Sequence, residues 1–257
     1  MGNTEILFLG TSSCRFDTGN DTSSCLLNGR LLIDTGWSVV QNLRDFGVDP
    51  ANVRHVLFTH MHHDHYLSLP AFLFYHLCVN TPLKEITLIG PSEDLERVVK
   101  SAMNFLQVET FYPHQSWPML VPLSPGDRVE ACGLEITSSA AIHPVQALCY
   151  RIRDPQGATV GFSGDTCYTP DLGRFFAGCG TLVHECSLGP TIEDPEANAR
   201  MLHSSADDAG RVAREACVGQ LILTHGSTRL RNKCIAAAQQ QYSQLITWPE
   251  RGETYRL

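Results

Sequence analysis

Seven consecutive residues carry most of the chemistry legible in this chain: Thr59-His60-Met61-His62-His63-Asp64-His65, a His-x-His-x-Asp-His run. Imidazole nitrogens and a carboxylate suit a borderline divalent cation, zinc first, with manganese or iron as alternatives. Four donors within so short a stretch cannot all wrap one tetrahedral ion comfortably, so two adjacent metals are expected. The run is internal: it directly follows the apolar Leu57-Phe58 and precedes the apolar stretch from Leu67 to Leu77, which argues against a tag remnant or a solvated histidine patch.

Ligands need rigid support, and several strand-like runs end where the polar residues begin. Leu57-Phe58-Thr59 leads into His60, Val160-Gly161-Phe162-Ser163-Gly164 into Asp165, and Leu221-Ile222-Leu223-Thr224 into His225. Apolar strands ending in His or Asp deliver side chains to one edge of a sheet. Short β-rich runs bounded by Gly, Asn or Asp predict strands over Glu5 to Leu9, Ser23 to Leu27, Arg30 to Ile33, His55 to Thr59 and Ile86 to Ile89, the last stopped by Gly90-Pro91. Further strands are expected at Arg128 to Val129, Leu134 to Ser138, Leu148 to Arg153, Thr159 to Ser163, Thr181 to Glu185 and Gln220 to Thr224. Helices are expected from Val39 to Phe46, from Leu69 to Leu77, from the Ser92-Glu93-Asp94 start to about Leu106, from Ser205 to Ala216 and from Cys234 to Tyr242. No linker or low-complexity stretch divides the chain, so one layered α/β (α+β) domain over 1–257 is expected.

The His-x-His-x-Asp-His run resembles that of the metallo-β-lactamase superfamily, and the resemblance extends along nearly the whole chain. It implies a four-layered αββα sandwich with two mixed sheets flanked by helices and two metals at the sheet edge. The later ligands of that family have matches in Ala141-Ile142-His143-Pro144, Gly164-Asp165-Thr166 and Thr224-His225-Gly226. On this pattern one metal takes His60, His62 and His143, the other takes Asp64, His65 and His225, and Asp165 bridges both. A hydroxide between the metals is then the expected nucleophile, with Asp64 combining ligand and base roles.

Within that superfamily the chain is similar to the ribonuclease Z branch, in Phe8-Leu9-Gly10-Thr11, Ser23-Ser24, Leu32-Ile33-Asp34-Thr35-Gly36, His184-Glu185-Cys186-Ser187, His203-Ser204-Ser205-Ala206 and Leu223-Thr224-His225. The resemblance implies that His203 contacts a scissile phosphate and protonates the leaving oxygen, a role suited to a side chain that titrates near neutrality. Glu185 is a candidate to orient it, and Arg229 either binds phosphate or pairs with a surface carboxylate. Two departures stand out. The branch's Gly-Glu-Gly-Thr-Gln-like run is replaced by Asp34-Thr35-Gly36-Trp37-Ser38-Val39, and its basic flexible arm is absent between His143 and Asp165, where Arg151 and Arg153 are the only cations.

Composition bounds the function. With 257 residues, 43% hydrophobic and 18% charged, the chain is an ordinary globular sequence large enough to bury a core without disulfides. A net charge of −8 excludes a bulk positive field for nucleic acid or an anionic membrane. Two divalent cations would offset half of it and concentrate the positive part in the cleft. The compact cluster Arg229-Leu230-Arg231-Asn232-Lys233 reads as a solvated helix start. The ten scattered cysteines read as reduced thiols, mostly in the core, and Met1-Gly2-Asn3-Thr4-Glu5 shows no basic leader, so a cytoplasmic protein is expected.

The leading expectation is a dinuclear metal-dependent phosphodiesterase, ribonuclease Z-like, acting on a small phosphodiester, a cyclic nucleotide or an RNA end. It carries no extended nucleic-acid surface, does not bind membrane, and is a candidate homodimer. The alternatives are hydrolysis of a lactone, thioester or β-lactam, and a di-iron redox or metal-binding module, against which His62 and the chain length argue.

Overall fold

The computed structural model describes residues 4–257; Met1, Gly2 and Asn3 lie outside them. The strands are β1 (Glu5–Gly10), β2 (Ser24–Leu27), β3 (Leu31–Ile33), β4 (His55–Leu57), β5 (Thr87–Pro91), β6 (Met119–Leu123), β7 (Arg128–Ala131), β8 (Leu134–Ala140), β9 (Leu148–Arg153), β10 (Thr159–Phe162), β11 (Thr181–Glu185), β12 (Gln220–Thr224), β13 (Leu245–Thr247) and β14 (Thr254–Arg256). The helices are α1 (Val39–Asp45), α2 (His63–Tyr66), α3 (Leu69–Cys78), α4 (Leu95–Phe105), α5 (Val108–Phe111), α6 (Pro170–Phe176), α7 (Pro195–Met201), α8 (Ala206–Ala216) and α9 (Arg231–Gln241).

Two seven-stranded sheets form, in the orders β14-β1-β2-β3-β4-β5-β6 and β13-β12-β11-β10-β9-β8-β7. The side-chain period of two explains the layering. In β3, Leu31 and Ile33 point into the core between the sheets while Leu32 faces the helices, where it packs in one cluster with Val39 of α1, Phe72 of α3 and Val99 of α4. The second sheet repeats this: Val160, Phe162 and Val183 face inward, and Leu182, Leu221 and Leu223 pack in one cluster with Phe176 of α6, Val212 of α8 and Ala238 of α9. Strands buried on both faces read as continuous apolar runs because neither face meets water. The result is the four-layered αββα sandwich expected.

Each sheet is antiparallel on one side and parallel on the other. Strands β3 to β6 run parallel, as do β10 to β13. Side chains just past the carboxyl ends of parallel strands are where open α/β sheets place their sites, and here both sheets bring those ends together.

Several boundaries differ from expectation. Strand β5 does not stop at Gly90-Pro91 but runs through both, with Gly90 opposite Pro122 and Pro91 opposite Leu123 on β6. Gly90 suits that place because a Cβ there would stand 3.1 Å from the Phe58 Cβ. The partner β6 escapes the sequence pattern because it is a partly exposed edge strand containing Pro122. Of the ten cysteines, all free, five are buried (Cys25, Cys149, Cys179, Cys186 and Cys234), so half rather than most belong to the core.

Packing is tight at Gly161, where an added Cβ would lie 2.5 Å from Cδ1 of the fully buried Phe176 and 3.1 Å from Cδ1 of Leu182. Gly161→Ala is therefore expected to destabilise the fold by ~1–3 kcal/mol, the usual cost of overpacking a filled core. Urea unfolding would show this as a lower midpoint at unchanged slope, and an unmoved midpoint would mean that the Phe176 ring repacks freely.

Candidate metal centre

Seven donor side chains arrive at the shared sheet edge from five places in the chain. His60 follows β4 and Thr59, His62, Asp64 and His65 lie at the start of and within α2, His143 follows β8, Asp165 follows β10, and His225 follows β12. Among the described residues, His60, His62 and His143 form one cluster of converging donor atoms, and Asp64, His65 and His225 another. His62 Nδ1 lies 3.2 Å from His60 Nε2 and 2.9 Å from His143 Nε2. In the second cluster His65 Nε2 is 3.2 Å from His225 Nε2, and Asp64 Oδ2 is 3.3 Å from His225 Nε2 and 3.5 Å from His65 Nε2. One oxygen of Asp165 touches both, with Oδ2 at 3.7 Å from His60 Nε2 and 3.5 Å from each of His65 Nε2 and His225 Nε2.

These separations fit cations. Donors ~2.0–2.1 Å from a tetrahedral zinc stand about 3.3 Å from one another, which is the spacing observed. Protonation agrees with the spacing. Burial lowers the pKa of His60 and of His62 and takes that of His143 to about 4, which favours on each the neutral imidazole whose lone pair a metal takes. Burial alone would raise the carboxyls of Asp64 and Asp165, yet the surrounding imidazoles hold both well below the carboxylate range. Burial opposes charge on His65 as well, but Asp165 and Asp34 overcome it and raise its pKa well above the usual value. Buried carboxylates in this arrangement call for positive charge.

On four of the five clustered histidines the nitrogen facing away from the cluster is engaged, which fixes the ring. His65 Nδ1 is 2.8 Å from Asp34 Oδ2, His225 Nδ1 is 2.7 Å from Ser187 Oγ, His143 Nδ1 is 3.2 Å from the Leu202 carbonyl, and His60 Nδ1 is 3.1 Å from Thr59 Oγ1. Such outer partners set tautomer and ring orientation. Asp34 and His225 both adopt left-handed backbone, with φ of 54° at each, turning the chain sharply at the ends of β3 and β12. Asp34 and Ser187 were not singled out by sequence reasoning, although the apolar Leu31-Leu32-Ile33 ending in Asp34 repeats the pattern that marked His60 and His225.

His203 stands beside the clusters, with Nδ1 3.8 Å from Asp165 Oδ2 and its ring centroid 5.0 Å from that of His143. It is not the cap of α8: Ser205 is, in a capping box with Asp208. Its Nδ1–H donates to Glu185 Oε1 at 3.0 Å. The Glu185 carboxylate, fully buried at the end of β11, also accepts from the backbone N–H groups of Thr166 at 2.9 Å, Ser204 at 3.2 Å and Ser187 at 3.0 Å. Burial disfavours charge on His203, but the charge and hydrogen bond of Glu185, then the charge of Asp165, outweigh it and raise the pKa to about 9. Arg229 takes the second of its two expected roles: it is largely exposed and pairs with Asp17 at 3.4 Å. Arg231 is likewise paired, with Glu250, so the basic cluster is partly neutralised.

No helix among the described residues is long and apolar enough to cross a membrane. The sequence profile of the beta-lactamase superfamily domain matches residues 29–226. An uncharacterized protein of Mycobacterium tuberculosis is 31% identical over 200 residues, covering 76% of this chain and 69% of its own length. Ribonuclease BN of Escherichia coli is 25% identical over 285 residues, covering 89% of this chain and 91% of its own. Among solved structures, the metallo-β-lactamase fold protein YhfI of Bacillus subtilis superposes with a TM-score of 0.83 at 22% identity, with 99% of each chain covered.

Proposed function

Because the chain belongs to the beta-lactamase superfamily, whose fold implies divalent metals, we propose that it is a metal-dependent phosphodiesterase with a ribonuclease Z-like site. The observation that carries the reading is the Glu185–His203 pair set against Asp165, a protonated imidazole held where a leaving oxygen departs. In this reading His60, His62 and His143 hold one cation, Asp64, His65 and His225 hold a second, and Asp165 serves both. Bound there, two divalent cations, zinc in the first instance, supply Lewis acidity toward the phosphoryl oxygens and acidify water for attack.

The chain's own groups do the rest. Asp64 accepts a hydrogen bond from the attacking water and orients it. Glu185 keeps the proton of His203 on Nδ1 and the ring in place, and His203 Nε2–H donates to the departing alkoxide. Ser187 and Asp34 keep the rings of His225 and His65 turned toward the centre. The similarity to ribonuclease BN supports phosphodiester chemistry, while the short connection from His143 to Asp165 favours a small diester or an RNA end over a long nucleic acid.

Protein stripped with a chelator is expected to lose hydrolysis of bis(p-nitrophenyl) phosphate and to regain it with added zinc or manganese. A lactone and nitrocefin run in parallel should be turned over poorly. Activity indifferent to the chelator, or a preference for the lactone, would sink the reading.

A further inference from the structure

Two aromatic rings, on loops hydrogen-bonded to the segments that carry the candidate ligands, are used neither by the core nor by the histidine clusters. Phe16 and Trp37 are 40% and 44% exposed, and their ring centroids stand 5.3 Å apart at an interplanar angle of 68°. Both belong to loops tied to the candidate ligands. Phe16 precedes Asp17, whose Oδ2 accepts from Thr228 N and Thr228 Oγ1, each at 2.7 Å, and from Ser227 Oγ at 3.2 Å, just beyond His225. Trp37 follows Thr35, whose N–H donates to the His65 carbonyl at 2.8 Å, and Gly36, whose carbonyl accepts from Ser68 N at 3.1 Å.

The placement of Trp37 is built rather than incidental. The buried Asp21 carboxylate accepts from Trp37 N at 3.2 Å, Ser38 N at 2.9 Å and Asn42 Nδ2 at 2.6 Å, and the adjoining Thr22 Oγ1 donates to the Asp64 carbonyl at 2.8 Å. On the other loop Thr11, five residues before Phe16, accepts at its carbonyl from the N–H of Gly226 at 3.4 Å, directly after His225. Trp37 also lies in the run where the sequence departs from the ribonuclease Z branch. A large apolar ring on a backbone segment anchored by a buried carboxylate, with the ring itself left open to water, is poised for a ligand.

We propose that Phe16 and Trp37 form a stacking subsite for a flat aromatic group, a nucleobase, carried by the phosphodiester whose phosphate enters the histidine cluster. This rests on the phosphodiesterase reading. Two rings meeting at a steep angle form a corner, so a base lying on the face of one meets the edge of the other. Stacking of this kind accepts any base, because each has a π face. With Arg229 paired to Asp17, the rim offers one nucleoside a platform rather than a polynucleotide a basic track.

The test compares thymidine 5′-(p-nitrophenyl phosphate) with ethyl p-nitrophenyl phosphate, which share a leaving group and differ by the nucleoside. Native protein should prefer the thymidine ester, and the ratio of the two kcat/KM values should fall roughly tenfold in Phe16→Ala and in Trp37→Ala, mainly through KM. A ratio unchanged in both variants overturns the subsite, and the use of a ratio removes any general loss from misfolding. Should native protein turn over neither diester, the phosphodiesterase reading fails by itself and the subsite is judged by calorimetric binding of AMP against ribose 5-phosphate. A preference for AMP that Trp37→Ala reduces roughly tenfold upholds the subsite, and equal binding of the two overturns it.

Discussion

On the proposed phosphodiesterase reading, Asp165→Ala is expected to reduce phosphodiester turnover by roughly 10³-fold or more and to lower the bound metal below the two equivalents that the reading assigns to the native protein. The expectation follows from one atom. Oδ2 of Asp165 lies within 3.5–3.8 Å of ring nitrogens on His60, His65, His225 and His203, so it alone faces both donor clusters and the proposed proton donor. Loss of His62 or His143 weakens one donor cluster; loss of Asp165 would deprive both proposed cation sites of their shared carboxylate at once. Asp165→Asn keeps the volume and one carbonyl oxygen but not the charge, and should sit close to the alanine variant. Metal counted by elemental analysis, together with turnover after dialysis against zinc, checks both variants. Two equivalents and native turnover in Asp165→Asn would remove the bridging assignment.

The separate parts of this site were unequally legible in the sequence. The cluster His60, His62, Asp64 and His65 lies on one turn of chain after an apolar strand, so local spacing alone announces it. His143, Asp165 and His225 are individually unremarkable, and became readable because each follows an apolar run and because the family pattern fixes their order. Asp34 was missed because its role depends on β3 and β4 being parallel neighbours, which puts Asp34 and Thr59 at adjacent strand ends and Asp34 within 2.8 Å of His65 Nδ1. No sequence window spans that relation. Ser187 is hidden for the same reason, since β11 and β12 must pair before it can reach His225.

The fold shows the same division. Strands buried on both faces, such as β3, β10 and β12, stand out as apolar runs, whereas β13 and β14 are three-residue edge strands with exposed or half-exposed side chains and no alternation to read. Helices α6 and α7 escaped although Thr169-Pro170 and Asp194-Pro195 are helix-start signals, with proline pre-set for the first helical turn. At seven residues each they are too short for an apolar period to declare itself. What holds such segments helical is tertiary contact, as where Leu172 and Phe176 pack in one cluster with the buried side of α8.

His203→Ala should lower kcat for a phosphodiester with an alcohol leaving group by roughly 10²–10⁴-fold, the usual worth of a positioned general acid. The same variant should lose far less on a diester that expels p-nitrophenolate, because that anion departs without a proton. This leaving-group dependence separates proton donation from a merely structural or electrostatic part, which would depress both substrates alike. Metal content should stay at that of the native protein, since His203 belongs to neither of the two clusters assigned to the proposed cations. Glu185→Gln makes the complementary case. Its oxygen can still accept from His203, Thr166 and Ser204, but its NH₂ group then faces the Ser187 N–H that Oε2 now accepts at 3.0 Å. A buried donor left without a partner costs ~1–3 kcal/mol, and the strain falls on Ser187, which holds the His225 ring. Glu185→Gln is therefore expected to lose activity on both leaving groups and some metal affinity, whereas His203→Ala loses mainly on the alcohol leaving group. If His203→Ala slows both diesters equally with its metal intact, the proton reaches the leaving oxygen from elsewhere, and His203 serves the phosphate by charge.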